Sequence, residues 1–228
     1  ILGLDLSDDS LVGTPRRIAK MYVQELFAGL KSDTFPKATT VENKMQYGDL
    51  IIEKCTVKSV CEHHFVYFGT AHNTQELGCW IAYIPKQKVL GLSKLNRITN
   101  YFARRPQIQE RLTGQIAHAL RYILDTEDVA VVMRAQHFCV LTRGVEDADS
   151  NTTTSSLHGR LAMAKADSSA EASRIFEYEL PQNTLTKIEA DENFDKLNDH
   201  FGLAAEPYAS ALLNNSEWVR ERVKYWIK

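Results

Sequence analysis

The 228-residue chain predicts an α+β fold, because its strand-like and helix-like stretches are partly segregated instead of strictly alternating. Near-alternation of apolar and polar residues over 50–60 reads as a strand, and apolar runs at 65–71 and 80–84 read as two more. Helical periodicity gathers elsewhere, at 14–30, 93–104 and from Pro106 onward.

Thr14-Pro15 opens the first helix, with Thr14 as N-cap and Pro15 where a missing N–H costs nothing. Ile18, Met21, Tyr22, Leu26 and Phe27 then predict a buried stripe to about residue 30. The polar segment 72–78 predicts a hairpin joining the second and third strands. Ser93 is placed to cap a helix running to about 104, and Pro106 restarts another with Ile108, Leu112, Ile116, Leu120 and Ile123 on one face. Runs at 129–133 and 138–141 predict a last β-segment, and the Asp-, Thr- and Ser-rich tract 146–156 predicts a loop. One domain over 1–180 is expected, followed by an extension over 181–228 that ends in an amphipathic helix carrying Val219, Val223, Trp226 and Ile227. Ile1 is not a natural start, so an N-terminal segment is expected before it.

Apolar content of 44% and charged content of 25% are those of an ordinary globular protein. A net charge of −2 argues against a general nucleic-acid or membrane-surface binder. No apolar run approaches the roughly 20 residues that span a bilayer.

Four cysteines, Cys55, Cys61, Cys79 and Cys139, permit disulfides but are sparse for a secreted scaffold. Two of them stand beside histidines, in Cys61-Glu62-His63-His64 and His137-Phe138-Cys139, which favours metal ligation there. Cys55 and Cys79 read as small buried apolar residues. Two thiolates and one imidazole suit zinc and leave an open position, from which water at neutral pH becomes a nucleophile. A closed site, with His63 or His137 as fourth ligand, is the structural alternative. Adjacent His63 and His64 diverge in a turn or strand, whereas His137 and Cys139 would share a strand face.

Arg17 and Lys20 lie one turn apart on the first helix, and Lys94 and Arg97 repeat the spacing on the second; Arg143 follows Cys139. Such pairs are usually solvated helix faces, but beside a zinc site they suggest a polyanion such as a nucleoside triphosphate. Gln109-Glu110 offers a carboxylate able to accept two N–H bonds from a guanine edge; a surface Glu is the plainer reading.

Cys61-Glu62-His63-His64-Phe65, Gln136-His137-Phe138-Cys139, the stretches 14–21 and 91–97, and 105–113 together resemble the GTP cyclohydrolase I family, its proteobacterial branch most closely. The resemblance implies a T-fold, an antiparallel sheet with helices on one face, assembled into a ring-shaped homodecamer with active sites between subunits. It implies a cytoplasmic hydrolase of cyclic amidine C–N bonds that converts GTP and water to 7,8-dihydroneopterin triphosphate and formate, opening tetrahydrofolate and pterin synthesis. Carried onto this chain, Cys61, His64 and Cys139 bind zinc, and His137 protonates the purine imidazole nitrogen. His63 and Ser93 assist the later rearrangement, Glu110 with Gln109 anchors guanine, and Arg17, Lys20, Lys94, Arg97 and Arg143 hold the triphosphate. Segment 72–78 is longer than the family's usual connection. Two rival readings remain: a same-fold enzyme of 7-deazapurine (queuosine) metabolism, and a non-catalytic zinc-stabilised oligomer.

Overall fold

The computed structural model describes residues 2–70 and 76–163; the expected 181–228 extension and its terminal helix lie outside the described residues. Helix α1 (Thr14–Lys20) runs into a π-helical turn, Met21–Leu26, and two 3₁₀ turns, Ala28–Leu30 and Ser32–Thr34. Strands β1 (Thr40–Glu42), β2 (Ile51–Cys55), β3 (Lys58–Cys61), β4 (Tyr67–Gly69), β5 (Gly78–Tyr83) and β6 (Lys88–Leu90) follow. Then come α2 (Leu92–Ala103), the two-residue β7 (Pro106–Gln107), α3 (Gln109–Leu124) and β8 (Val129–His137). A single turn, α4 (Phe138–Leu141), strand β9 (Thr152–Leu157) and α5 (Arg160–Met163) complete the described fold.

Strand β8 organises the main sheet. Its residues Val129–Arg134 pair antiparallel with β5, its other edge takes β9, and its last two residues pair with β4. Strand β2 adds to β5, β3 adds to β4, and β7 joins β3 in parallel, so the sheet is antiparallel but for that one short pairing. Strands β1 and β6 form a separate ribbon.

Because β4 and β5 both run antiparallel to β8, they run in the same direction as each other. β4 and β5 are therefore successive segments along one strand path, and they do not form the hairpin expected between them at 72–78. Strands β2 and β3 are interrupted at the matching level, between Cys55 and Lys58. Gly69 sits at this break with φ +145°, and a Cβ there would meet the Val57 carbonyl oxygen at 2.2 Å, so only glycine fits.

Side-chain alternation along the central strands creates two apolar faces. Cys79, Ile81 and Tyr83 of β5, with Val129, Val131 and Met133 of β8, face Leu95 and Ile98 of α2 and Leu112, Ile116, Leu120 and Leu124 of α3. Leu112, Ile116 and Leu120 are buried as predicted, with Leu124 completing the run and the expected Ile108 and Ile123 half-buried. Full burial of such a side chain contributes about 1.5–3 kcal/mol. Packing of this stripe, more than helix propensity, fixes α3 on the sheet. The helix stops at Asp125, whose left-handed backbone returns its N–H to the Arg121 carbonyl. Trp80, Ala82, Ala130 and Val132 point to the opposite face, where Leu161 of α5 covers them. The two long helices thus share one face.

Four other expectations change. The first helix is not α-helical to residue 30, and its stripe is only partly buried: Ile18 and Met21 are exposed, while Tyr22, Leu26 and Phe27 are half-buried and Tyr22 and Phe27 pack on Phe65. Gly13 and Gly91, not Thr14 and Ser93, are the N-cap residues. Pro106 does not start a helix; it enters β7, and α3 begins only at Gln109. Residues 152–157 are strand, not loop, because Thr152–Leu157 supplies the missing partner for the outer edge of β8.

Candidate metal and nucleotide site

Cys61 ends β3 and begins a tight turn. Its N–H donates to the Val66 carbonyl at 2.9 Å, and the Phe65 N–H donates back to the Cys61 carbonyl at 2.8 Å. The turn is tied to the entry of α3, since the Glu62 N–H donates to the Gln107 carbonyl at 3.0 Å. Glu62 also forms an ion pair with Arg111. Arg111 is held in turn by the Gln107 side-chain oxygen at 2.9 Å and the Pro106 carbonyl at 3.0 Å. Glu62, which has no chemistry of its own in the sequence motif, thereby links the turn to the helix that carries Gln109 and Glu110.

The second half of the site corrects the sequence reading. His137 closes β8 opposite Phe68, but Phe138–Leu141 turns helical instead of continuing as strand. Thr142 closes that turn by donating both its N–H and its hydroxyl to the Phe138 carbonyl, at 3.0 and 2.6 Å. His137 and Cys139 therefore do not share a strand face. The turn swings Cys139 toward Cys61, and the ligand atoms of Cys61, His64 and Cys139 all lie within 4.8 Å of one another. His63 and His64 diverge as expected, with ring centroids 6.3 Å apart, although His63 Nδ1 stays 3.4 Å from Cys61 Sγ.

This donor set fits a soft divalent metal. Burial first, and then the neighbouring Cys61, pushes the Cys139 thiol above its ordinary value, so Cys139 resists ionising beside Cys61. A cation between them reverses that balance. Arg143 contributes in the opposite sense at Cys139, which places its charge within reach of the cluster.

His137 is held from two sides. Its ring stacks on Phe68, centroids 4.6 Å apart and planes 2° from parallel, and its Nε2 lies 2.8 Å from Gln109 Oε1. The Gln109 amide nitrogen faces the Met133 carbonyl at 3.1 Å, the Thr152 carbonyl at 3.0 Å and Thr154 Oγ1 at 3.1 Å. Those acceptors fix the amide orientation, so Gln109 presents its oxygen and His137 donates from Nε2. Burial lowers the His137 pKa, and the Glu110 carboxylate partly opposes the effect.

Gln109 is thus buried and engaged within the chain, while Glu110 beside it is exposed and accepts no hydrogen bond among the described residues. Thr154 and Thr113, whose hydroxyls lie 2.7 Å apart in this network, were missed from sequence. The signal was present in the β-favouring run Thr152-Thr153-Thr154. Among the described residues no hydrogen bond or ion pair joins Ser93, Lys94, Arg97, Arg17 or Lys20 to the cluster. Ser93 and Arg97 are exposed near the start of α2, and the Arg17 guanidinium donates to the Ser10 carbonyl and Thr14 Oγ1.

Two thiols and an imidazole with one exposed side are the kind of donor set found at catalytic metal centres, not closed structural ones. Comparison with known proteins narrows that class. Residues 1–175 match the GTP cyclohydrolase I family. The chain is 57% identical over 160 residues to GTP cyclohydrolase 1 of Aeromonas salmonicida (strain A449), covering 69% of this chain and 70% of that protein. It is 54% identical over 160 residues to GTP cyclohydrolase 1 of Tolumonas auensis, covering 70% and 71%. The chain belongs to the GTP cyclohydrolase I family. Among solved structures, an archaeosine synthase QueF-like protein in its apo form matches with TM-score 0.37 and 15% identity, over 48% of this chain and 93% of that one. The fold here rests on the strand pairing already described. No helix among the described residues is long and apolar enough to cross a membrane.

Proposed function

We propose that the chain is a zinc-dependent GTP cyclohydrolase I, converting GTP and water to 7,8-dihydroneopterin triphosphate and formate. The observation that carries this reading is the convergence of Cys61, His64 and Cys139 beside a separately held imidazole, His137. Cys61, His64 and Cys139 would hold zinc, which when bound supplies the Lewis acidity that makes water nucleophilic near neutral pH. His137, kept in place by Gln109 on its Nε2 side and by Phe68, would in its protonated form give the Nδ1 proton to the imidazole nitrogen of the purine, a role worth about 10²–10⁴-fold in rate. His63, exposed and next to the ligands, and Ser93 serve the later ring opening and closure. Glu110 accepts the guanine ring N–H and amino N–H, and Gln109 assists by fixing His137.

Arg17, Lys20, Lys94, Arg97 and Arg143 hold the triphosphate. Their scatter over α1, α2 and the segment after α4 suits a site completed by a neighbouring copy. On this reading the sheet, with α2 and α3 on one face, is one unit of a T-fold in a ring-shaped homodecamer, and the enzyme is cytoplasmic. Incubating the zinc-loaded, assembled chain with GTP tests the function directly. Formate and, after oxidation, a fluorescent pterin are expected; neither product from a fully loaded sample would contradict it.

A further inference from the structure

Phe65 directly follows the ligand His64 and has φ +51°, a left-handed conformation that a bulky aromatic residue rarely adopts. A backbone of this kind persists only where its surroundings hold it. One hold comes from far away in sequence: the Tyr22 hydroxyl donates to the Phe65 carbonyl at 2.7 Å. The rings of Tyr22, Phe27 and Phe65 form a triangle with centroids 5.3–5.9 Å apart.

The π-helical turn makes this triangle possible. In an α-helix, residues five apart point about 140° away from each other, given 3.6 residues per turn. In the Met21–Leu26 turn the Phe27 N–H reaches the Tyr22 carbonyl at 2.9 Å, and the two rings come to lie 5.4 Å apart on one side. π-Helical insertions of this type frequently mark functional sites. Here the insertion places a hydroxyl on the metal-holding turn.

We propose that Tyr22 is a positioning residue for the metal centre: its hydroxyl keeps Phe65 left-handed, and that conformation turns His64 toward Cys61 and Cys139. The inference rests on the metal reading of that trio, though not on GTP as substrate. It also assigns a role to an N-terminal element that lies outside every metal motif in the sequence.

The test measures the zinc dissociation constant of the full chain by chelator competition, with cobalt absorption as a second report on ligand geometry. Tyr22→Phe removes one oxygen and is expected to weaken zinc about tenfold, at the low end for partners that orient a metal ligand, and to alter the cobalt bands. Phe65→Gly needs no hydroxyl to hold a positive φ, so adding Tyr22→Phe to it is expected to change affinity by less than about twofold. Unchanged affinity in Tyr22→Phe would overturn the proposal, as would an equal loss on both backgrounds. Parent protein that takes up no zinc would overturn the metal reading itself, and this proposal with it.

Discussion

Gln109 Oε1 accepts a hydrogen bond from His137 Nε2 at 2.8 Å, while the Gln109 amide nitrogen is committed to β8 and β9. A residue of the α3 first turn therefore sets which imidazole nitrogen of His137 carries its proton. Gln109→Leu keeps the volume but strands the Met133 and Thr152 carbonyls. We expect a loss of about 1–3 kcal/mol in stability, a fall in kcat, and unchanged zinc content. Thermal unfolding, kinetics and metal analysis on the same sample check the three together.

Glu110 tests the nucleotide anchor apart from the metal. On the proposed anchoring of guanine, Glu110→Ala removes two charge-assisted hydrogen bonds and is expected to weaken GTP binding by about tenfold or more. Zinc content should not move. Calorimetric titration of GTP into the zinc-loaded variant reads both.

The Glu62–Arg111 pair is expected to matter more for geometry than for stability. Both side chains are 34% exposed, so the pair itself is worth only about 0.2–1 kcal/mol. Arg111→Lys keeps the charge but cannot also serve the Gln107 oxygen and the Pro106 carbonyl. A small shift in melting temperature with a clear rise in KM for GTP is expected. Equal and large effects on both would contradict a linking role.

Acid should destabilise the far end of α3. Burial first, then the Arg121 charge, lowers His118 to about 4, and burial, Arg121 and His118 lower His158 to about 4. Arg121 Nη1 faces both rings, at 3.4 and 3.3 Å, and Glu127 is the acidic group nearby, paired with Arg121. Unfolded histidines protonate near 6.5, whereas these two stay neutral in the fold until about pH 4. Between those values the unfolded state binds more protons, so stability falls as pH falls. Melting curves from pH 7 to 4 should show the decline, and His158→Asn should flatten it.

Strong periodicity made much of this fold legible. Leu112, Ile116 and Leu120 announced α3, and Cys55 and Cys79, read as small apolar residues, are buried opposite each other in β2 and β5, with burial pushing the Cys55 thiol up to about 12. Soft ligands standing side by side marked Cys61, His63, His64, His137 and Cys139 as metal candidates, and the family resemblance chose Cys61, His64 and Cys139 among them. What escaped was set by tertiary contacts. Phe138–Leu141 has strand-like residues yet turns helical where β8 loses its partner after Phe68. Strand β9 is polar, since its Thr154 serves a buried hydrogen-bond network instead of an apolar core. The π-turn at Tyr22 carries no sequence mark distinct from an α-helix.

Zinc-edge X-ray absorption on the metal-loaded chain tests the central claim most directly. An open site made by Cys61, His64 and Cys139 predicts two sulfurs at about 2.3 Å, one imidazole nitrogen at about 2.0–2.1 Å and one exchangeable light atom. Two sulfurs with two imidazoles, one of them lost in His63→Ala or His137→Ala, would contradict it.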